Sequence, residues 1–156
     1  MTVYIGIDPG FTGAVAFLWP DKNKIEVFDM PTYKNTKGKT ELNLYELHDI
    51  LTPETDEPHT CMIEQVAAMR GQGVSSMFRF GQSYGATQMA VAAHKIPMQF
   101  VTPAKWKAYF GLSRDKGVSR SIASQRFPKI ADMFSRQKDD GRAEAALLAL
   151  YAKVTA

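Results

Sequence analysis

Two periods of apolar and polar positions alternate along this chain. Residues 3–7 are apolar and mostly β-branched or aromatic apart from Gly6, and the run ends at Asp8 before Pro9-Gly10 turns the backbone. That pattern predicts a buried strand closed by a turn. Residues 12–19 are strand-like again, with Gly13 and Ala14 small enough for close approach near the turn. After the turn cluster Pro20-Asp21-Lys22-Asn23, residues 25–30 set Ile25 and Val27 against Glu26, Phe28 and Met30. Three strands on short turns predict an antiparallel meander. Residues 33–40 carry Lys34, Lys37 and Lys39 around Gly38 without apolar periodicity, which predicts a mobile loop. From Leu42 the period changes to helical, through Leu44, Leu47, Ile50 and Leu51, until Pro53 closes it.

The second half repeats the alternation. Residues 60–66 read as a strand, 70–73 as a glycine-rich turn, and 74–93 as a long helix with many small residues, among them Gly81, Ser83, Gly85 and Ala86. Residues 98–101 predict a short strand running into Thr102-Pro103, an N-cap followed by a first-turn proline. Helices are predicted over 104–110 and 118–127, separated by a basic turn, and a last helix runs from Asp139 or Asp140 to about Lys153. The order is βββαβαβ followed by helices. It describes one α/β domain with a mixed sheet and helices packed on it, and 156 residues are enough to bury its core.

Composition narrows the classes. Hydrophobic content of 45% and charged content of 22% are ordinary for a globular protein. No apolar run approaches the length of about 18 residues expected of a membrane span, and the N-terminus lacks a signal-peptide layout. The single cysteine, Cys61, excludes an internal disulfide and fits a reducing cytoplasm; its apolar neighbours make it strand filler rather than a nucleophile. The net charge of +3 conceals an asymmetry, because residues 95–138 hold ten Lys or Arg against Asp115 and Asp132 alone. Such a block points to a polyanionic partner.

Candidate chemistry lies in the acids. Asp8 ends the first strand. Glu64 sits in an otherwise buried run, where a carboxylate is costly unless paired, hydrogen-bonded or metal-bound. Asp140 and Glu144 are four residues apart and share a helical face, with Asp139 the alternative to Asp140. Four carboxylates without a His or Cys cluster suit magnesium or manganese and argue against zinc. In a two-metal arrangement such acids hydrolyse phosphodiesters while a basic surface holds the backbone. A nucleotide-binding actin-like domain also carries an Asp-x-Gly turn, but it wants a second phosphate loop and a duplicated domain, and this chain has no repeat.

Ile5-Gly6-Ile7-Asp8-Pro9-Gly10, Ile63-Glu64-Gln65-Val66, Gly81-Gln82 in a long helix, and Asp140 with Glu144-Ala145 in a closing helix together resemble the RuvC family of Holliday junction resolvases. The resemblance runs from Tyr4 to Tyr151. It implies a ribonuclease H-like fold with a mixed five-stranded sheet, its first three strands antiparallel, flanked by helices. It also implies a cytoplasmic homodimer, in a bacterium or a phage-infected host, that nicks opposed strands of a four-way DNA junction with magnesium or manganese, two per active site. Asp8, Glu64, Asp140 and Glu144 match the metal-binding acids. Lys116 falls near a family lysine that approaches the scissile phosphate, and Lys107 is the candidate for a second. Lys105, Lys107, Arg114, Lys116, Arg120 and Arg70 are the expected DNA contacts, and the small-residue helix the expected dimer surface. The chain departs from the pattern at its last acid pair, since bacterial relatives carry two Asp three apart, and at Ala67, where an aromatic wedge often stands; Met69 or Phe78 are the substitutes. Its length and Asp-Gly-Arg-Ala-Glu-Ala ending look like the phage-encoded branch. The competing reading is a junction-binding module of the same fold without catalysis.

Overall fold

The computed structural model describes residues 1–113 and 116–156, and of Lys116 the backbone alone. Strands β1 (Val3–Asp8), β2 (Ala14–Trp19) and β3 (Lys24–Asp29) form the expected antiparallel meander. Strands β4 (Thr32–Lys34) and β5 (Thr40–Leu42) make a separate hairpin, followed by helix α1 (Leu44–Leu51). Strand β6 (His59–Glu64), helix α2 (Val74–Ala93) and strand β7 (Met98–Val101) then add two parallel strands beside β1, giving a five-stranded sheet of order β3-β2-β1-β6-β7. Helices α3 (Pro103–Tyr109), α4 (Lys116–Arg126) and α5 (Asp140–Val154) complete the described chain, with 3₁₀ turns at Pro128–Phe134 and Gln137–Asp139 before α5. Among the described residues no helix is long and apolar enough to cross a membrane.

The hairpin corrects one expectation. Residues 33–40 are not a loop without structure: the Asn35 carboxamide oxygen accepts from the backbone N–H groups of Lys37 (2.9 Å) and Lys39 (3.0 Å), and Gly38 takes a positive φ of 75°. Short polar side chains wrap a tight turn here, and neither apolar period registers such a turn. Leu42 accordingly ends β5 instead of starting a helix, and Asn43 caps α1 by accepting from the Glu46 N–H.

Both faces of the sheet are covered. On one, Ile5, Ile7, Val15, Phe17, Cys61 and Ile63 pack under α1 and α2 with Leu47, Leu51 and Val91. Cys61 is the inert filler expected, its thiol pushed up by burial. On the other lies α5, whose first turns run against β1 at unusually short range. A Cβ on Gly6 would stand 2.2 Å from the Ala145 carbonyl oxygen and 2.3 Å from the Ala149 nitrogen, and one on Gly141 would stand 2.3 Å from the Thr12 carbonyl oxygen. Glycine at both positions, together with Ala143, Ala145, Ala146 and Ala149, lets helix and sheet backbones nearly touch. This close approach brings α5 acids to the sheet.

Candidate active site

Side chains alternate across a strand, so Gly6, which faces α5, puts Asp8 on the same face two residues further along. Ile7 pairs with Ile63 across the parallel β1 and β6, which leaves Asp8 and Glu64 side by side where the two strands end. Glu144 comes down on them from the second turn of α5. One carboxylate oxygen from each of Asp8, Glu64 and Glu144 lies within 4.8 Å of the other two.

Most other acids nearby are matched by arginine. Asp29, which stands in register with Asp8 through Ala14, accepts from Arg142 Nε at 2.7 Å and Nη2 at 2.9 Å, and these bonds hold it below the ordinary carboxylate range. Asp139 is buried and turns back to Arg136, with Nη2 at 2.8 Å, while Arg142 Nη1 stands 3.5 Å away; these partners lower its pKa as well. Asp140 accepts from Arg120 Nε at 2.9 Å. Among the described residues the three acids of the central group have no arginine partner, and Lys107 alone pairs with one of them, its Nζ 3.5 Å from Glu144 Oε1.

The consequence is electrostatic frustration. The Asp8 carboxyl is pushed well above its ordinary range, by burial first and then by the charges of Glu144 and Glu64, with Lys107 pulling the other way. Glu64 is raised by burial too, against the opposing effect of a hydrogen bond from Trp106. Such oxygen-only donors, crowded and under-neutralised, fit a hard divalent cation, which supplies the missing positive charge.

A pH signature follows. A carboxylate whose folded pKa exceeds its unfolded value contributes stability that is fully present below the unfolded pKa and is lost as pH rises through the folded one. In chelator the protein is therefore expected to lose stability as pH rises above the ordinary values of 3.8 for Asp8 and 4.5 for Glu64. Asp8→Asn removes part of that loss, so at neutral pH the variant should melt higher, by about 2 to 4 °C for each kcal/mol of repulsion relieved. Parallel melting curves for the two proteins across pH would show that Asp8 is not under this repulsion.

Of the residues expected from the sequence, Asp8, Glu64 and Glu144 come together; Asp140 lies outside that group, on Arg120, and Asp139 is tied to Arg136. Neither aspartate caps α5 through its side chain. Lys107 borders the group, whereas Lys105 and Arg70 are exposed and enter no ion pair among the described residues, and Arg120 is already engaged. Arg114 and the side chain of Lys116 lie outside the described residues. Met69 and Phe78 are exposed, at 67% and 66%, on the turn after β6 and the first turns of α2.

Trp106 is a site residue that the sequence reading does not single out. Set between Lys105 and Lys107, it is nevertheless fully buried, and its Nε1–H donates to Glu64 Oε2 at 2.7 Å. The signal was available in the other direction, because a buried Glu64 needs a donor and a buried indole needs an acceptor. Trp106 fixes one oxygen of Glu64 and leaves Oε1 for the group. Trp106→Phe is expected to weaken divalent-cation affinity by about 10- to 100-fold, as losses of such supporting bonds do; manganese titration calorimetry measures it, and unchanged affinity would deny Trp106 that role.

A mixed sheet of order 3-2-1-6-7 with α5 on one face and α1 and α2 on the other is a ribonuclease H-like fold. More particularly, it is the fold of RuvC. The Thermus thermophilus RuvC in complex with a Holliday junction substrate aligns over 99% of this chain and 97% of its own, with a TM-score of 0.60 at 18% identity. A second Thermus thermophilus RuvC structure aligns over 98% of this chain and 96% of its own, with a TM-score of 0.57 at 17% identity. No protein-family model and no curated protein matches the sequence.

Proposed function

We propose that this chain is a metal-dependent, structure-selective DNA endonuclease that resolves Holliday junctions, and other branched DNA, by paired nicks. The observation that carries this reading is the convergence of Asp8, Glu64 and Glu144 at the ends of adjacent parallel strands and a facing helix, with no arginine partner among the described residues, in a chain with the fold of RuvC.

Asp8, Glu64 and Glu144 would hold magnesium or manganese, two ions per site, and Asp140, about one turn from Glu144, would complete the donor set on release from Arg120. When bound, such ions would supply an activated water and charge stabilisation for in-line hydrolysis of one phosphodiester bond. Trp106 keeps Glu64 in a single orientation. Lys107, whose ammonium already lies beside Glu144, donates to the phosphate as negative charge builds on its oxygens, and Lys116 assists. Lys105, Arg70, Arg114 and Arg120 neutralise the flanking backbone.

Paired nicks require two sites about a two-fold axis, hence a homodimer. Helix α2 is the surface for it, since Gly81 and Gly85 have nothing within 4 Å of where a side chain would stand.

A synthetic four-way junction in magnesium tests the reading. Symmetric nicks in opposed strands, absent from linear duplex and lost in Asp8→Asn, are expected. Junction binding at unchanged affinity with no cut in magnesium or manganese would instead make the chain a non-catalytic junction-binding module.

A further inference from the structure

We propose that the β4–β5 hairpin is a DNA-gripping arm, in which Lys34, Lys37 and Lys39 contact backbone phosphates of the duplex flanking the cut; the inference rests on the function proposed above.

The charge is concentrated and unspent. Lys34, Lys37 and Lys39 are exposed, no acid lies between residues 31 and 40, and none of the three enters an ion pair among the described residues. The nearest acid in sequence, Glu41, accepts from the Tyr33 hydroxyl at 2.7 Å. Among the described residues the one contact of these ammonium groups is that of Lys34 Nζ with Thr40 Oγ1.

The hairpin is also built to hold its shape. Asn35 N–H donates to the Lys39 carbonyl and Gly38 N–H to the Asn35 carbonyl, both at 2.9 Å, inside the carboxamide-wrapped turn. An ordered tip loses less freedom on binding than a loop would.

Its base is tied to the catalytic end of the sheet. Strand β3 ends at Asp29, in register with Ala14 and hence with Asp8, so the chain enters the hairpin from the end of the sheet where the acids gather. Arg79 of α2 donates to the Thr40 carbonyl, and its guanidinium stands 5.4 Å from the ring of Phe11, three residues beyond Asp8. Between hairpin and α2 lies an open groove of about 450 Å³, lined by Phe11, Tyr33, Arg79 and Gln82 among others. The arm thus leaves the sheet at the end where the acids gather, and Arg79 ties it to α2 at Thr40, the residue paired with Lys34 next to the turn. A polyanion that places one phosphate at Asp8, Glu64 and Glu144 offers further phosphates along its length.

The test is the initial nicking rate of the full chain and of K34Q/K37Q/K39Q against the concentration of a four-way junction, in magnesium, at several salt concentrations. All three side chains are exposed, so the variant is expected to keep its fold. The expected result is a KM raised on the order of tenfold, an unchanged kcat, and a salt dependence of log KM shallower by about two to three, each lost phosphate contact removing about 0.9. A KM and salt slope equal to wild type, or a fall in kcat alone, overturns the arm while leaving the proposed function standing. Failure of the wild type to cut branched DNA overturns both, and shows in the wild-type arm alone.

Discussion

Glu64→Gln is expected to lower junction cleavage by a factor of about 10³ or more, equivalent to about 4 kcal/mol of transition-state stabilisation, with little change in fold. The magnitude comes from orientation as much as from charge. Trp106 donates to Glu64 Oε2, so a glutamine must turn its carbonyl oxygen to the indole and its amide nitrogen to Asp8 and Glu144. The variant then presents two N–H donors where a cation needs an oxygen ligand. Single-turnover nicking in magnesium measures the loss. A variant that cuts within tenfold of wild type would mean that Glu64 holds no essential ion.

Gly6→Ala carries the largest expected effect on stability. The new methyl meets backbone on two sides, the Ala145 oxygen at 2.2 Å and the Ala149 nitrogen at 2.3 Å, and neither can rotate away. Overpacking of this kind costs about 1 to 3 kcal/mol and occasionally more; with backbone as the obstacle we expect the upper end, a fall in melting temperature of roughly 6 to 12 °C at 2 to 4 °C per kcal/mol. Relief can come only by moving α5 off β1, which carries Glu144 away from Asp8. Metal affinity should therefore fall with stability, and a variant that melts with wild type would refute the close packing.

The strands were legible because burial leaves a period in the sequence: β1, β2, β3, β6 and β7 fall where the apolar runs do, within two residues at nearly every end. The hairpin was not, since its order comes from Asn35 and Gly38 acting over a few residues rather than from a face to bury. For the site, Asp8 and Glu64 stood out as acids in apolar strands, and Glu144 as an acid opening an Ala- and Leu-rich helix. Helical spacing alone could not separate Asp140 from Glu144, because what differs is their partners, Arg120 on α4 for one and Lys107 on α3 for the other, both distant in sequence. Trp106 was hidden for a like reason. Its neighbours in sequence are charged, while its neighbour in space is Glu64.

That Asp8, Glu64 and Glu144 together hold the catalytic cation is tested most directly by anomalous diffraction from crystals of the protein soaked in manganese. The expected result is an anomalous peak at about 2.0 to 2.2 Å from a carboxylate oxygen of each of the three, the spacing of a hard cation on oxygen ligands. Peaks on Asp139 or Asp140 alone, with no ordered ion between the three acids at saturating manganese, would contradict it.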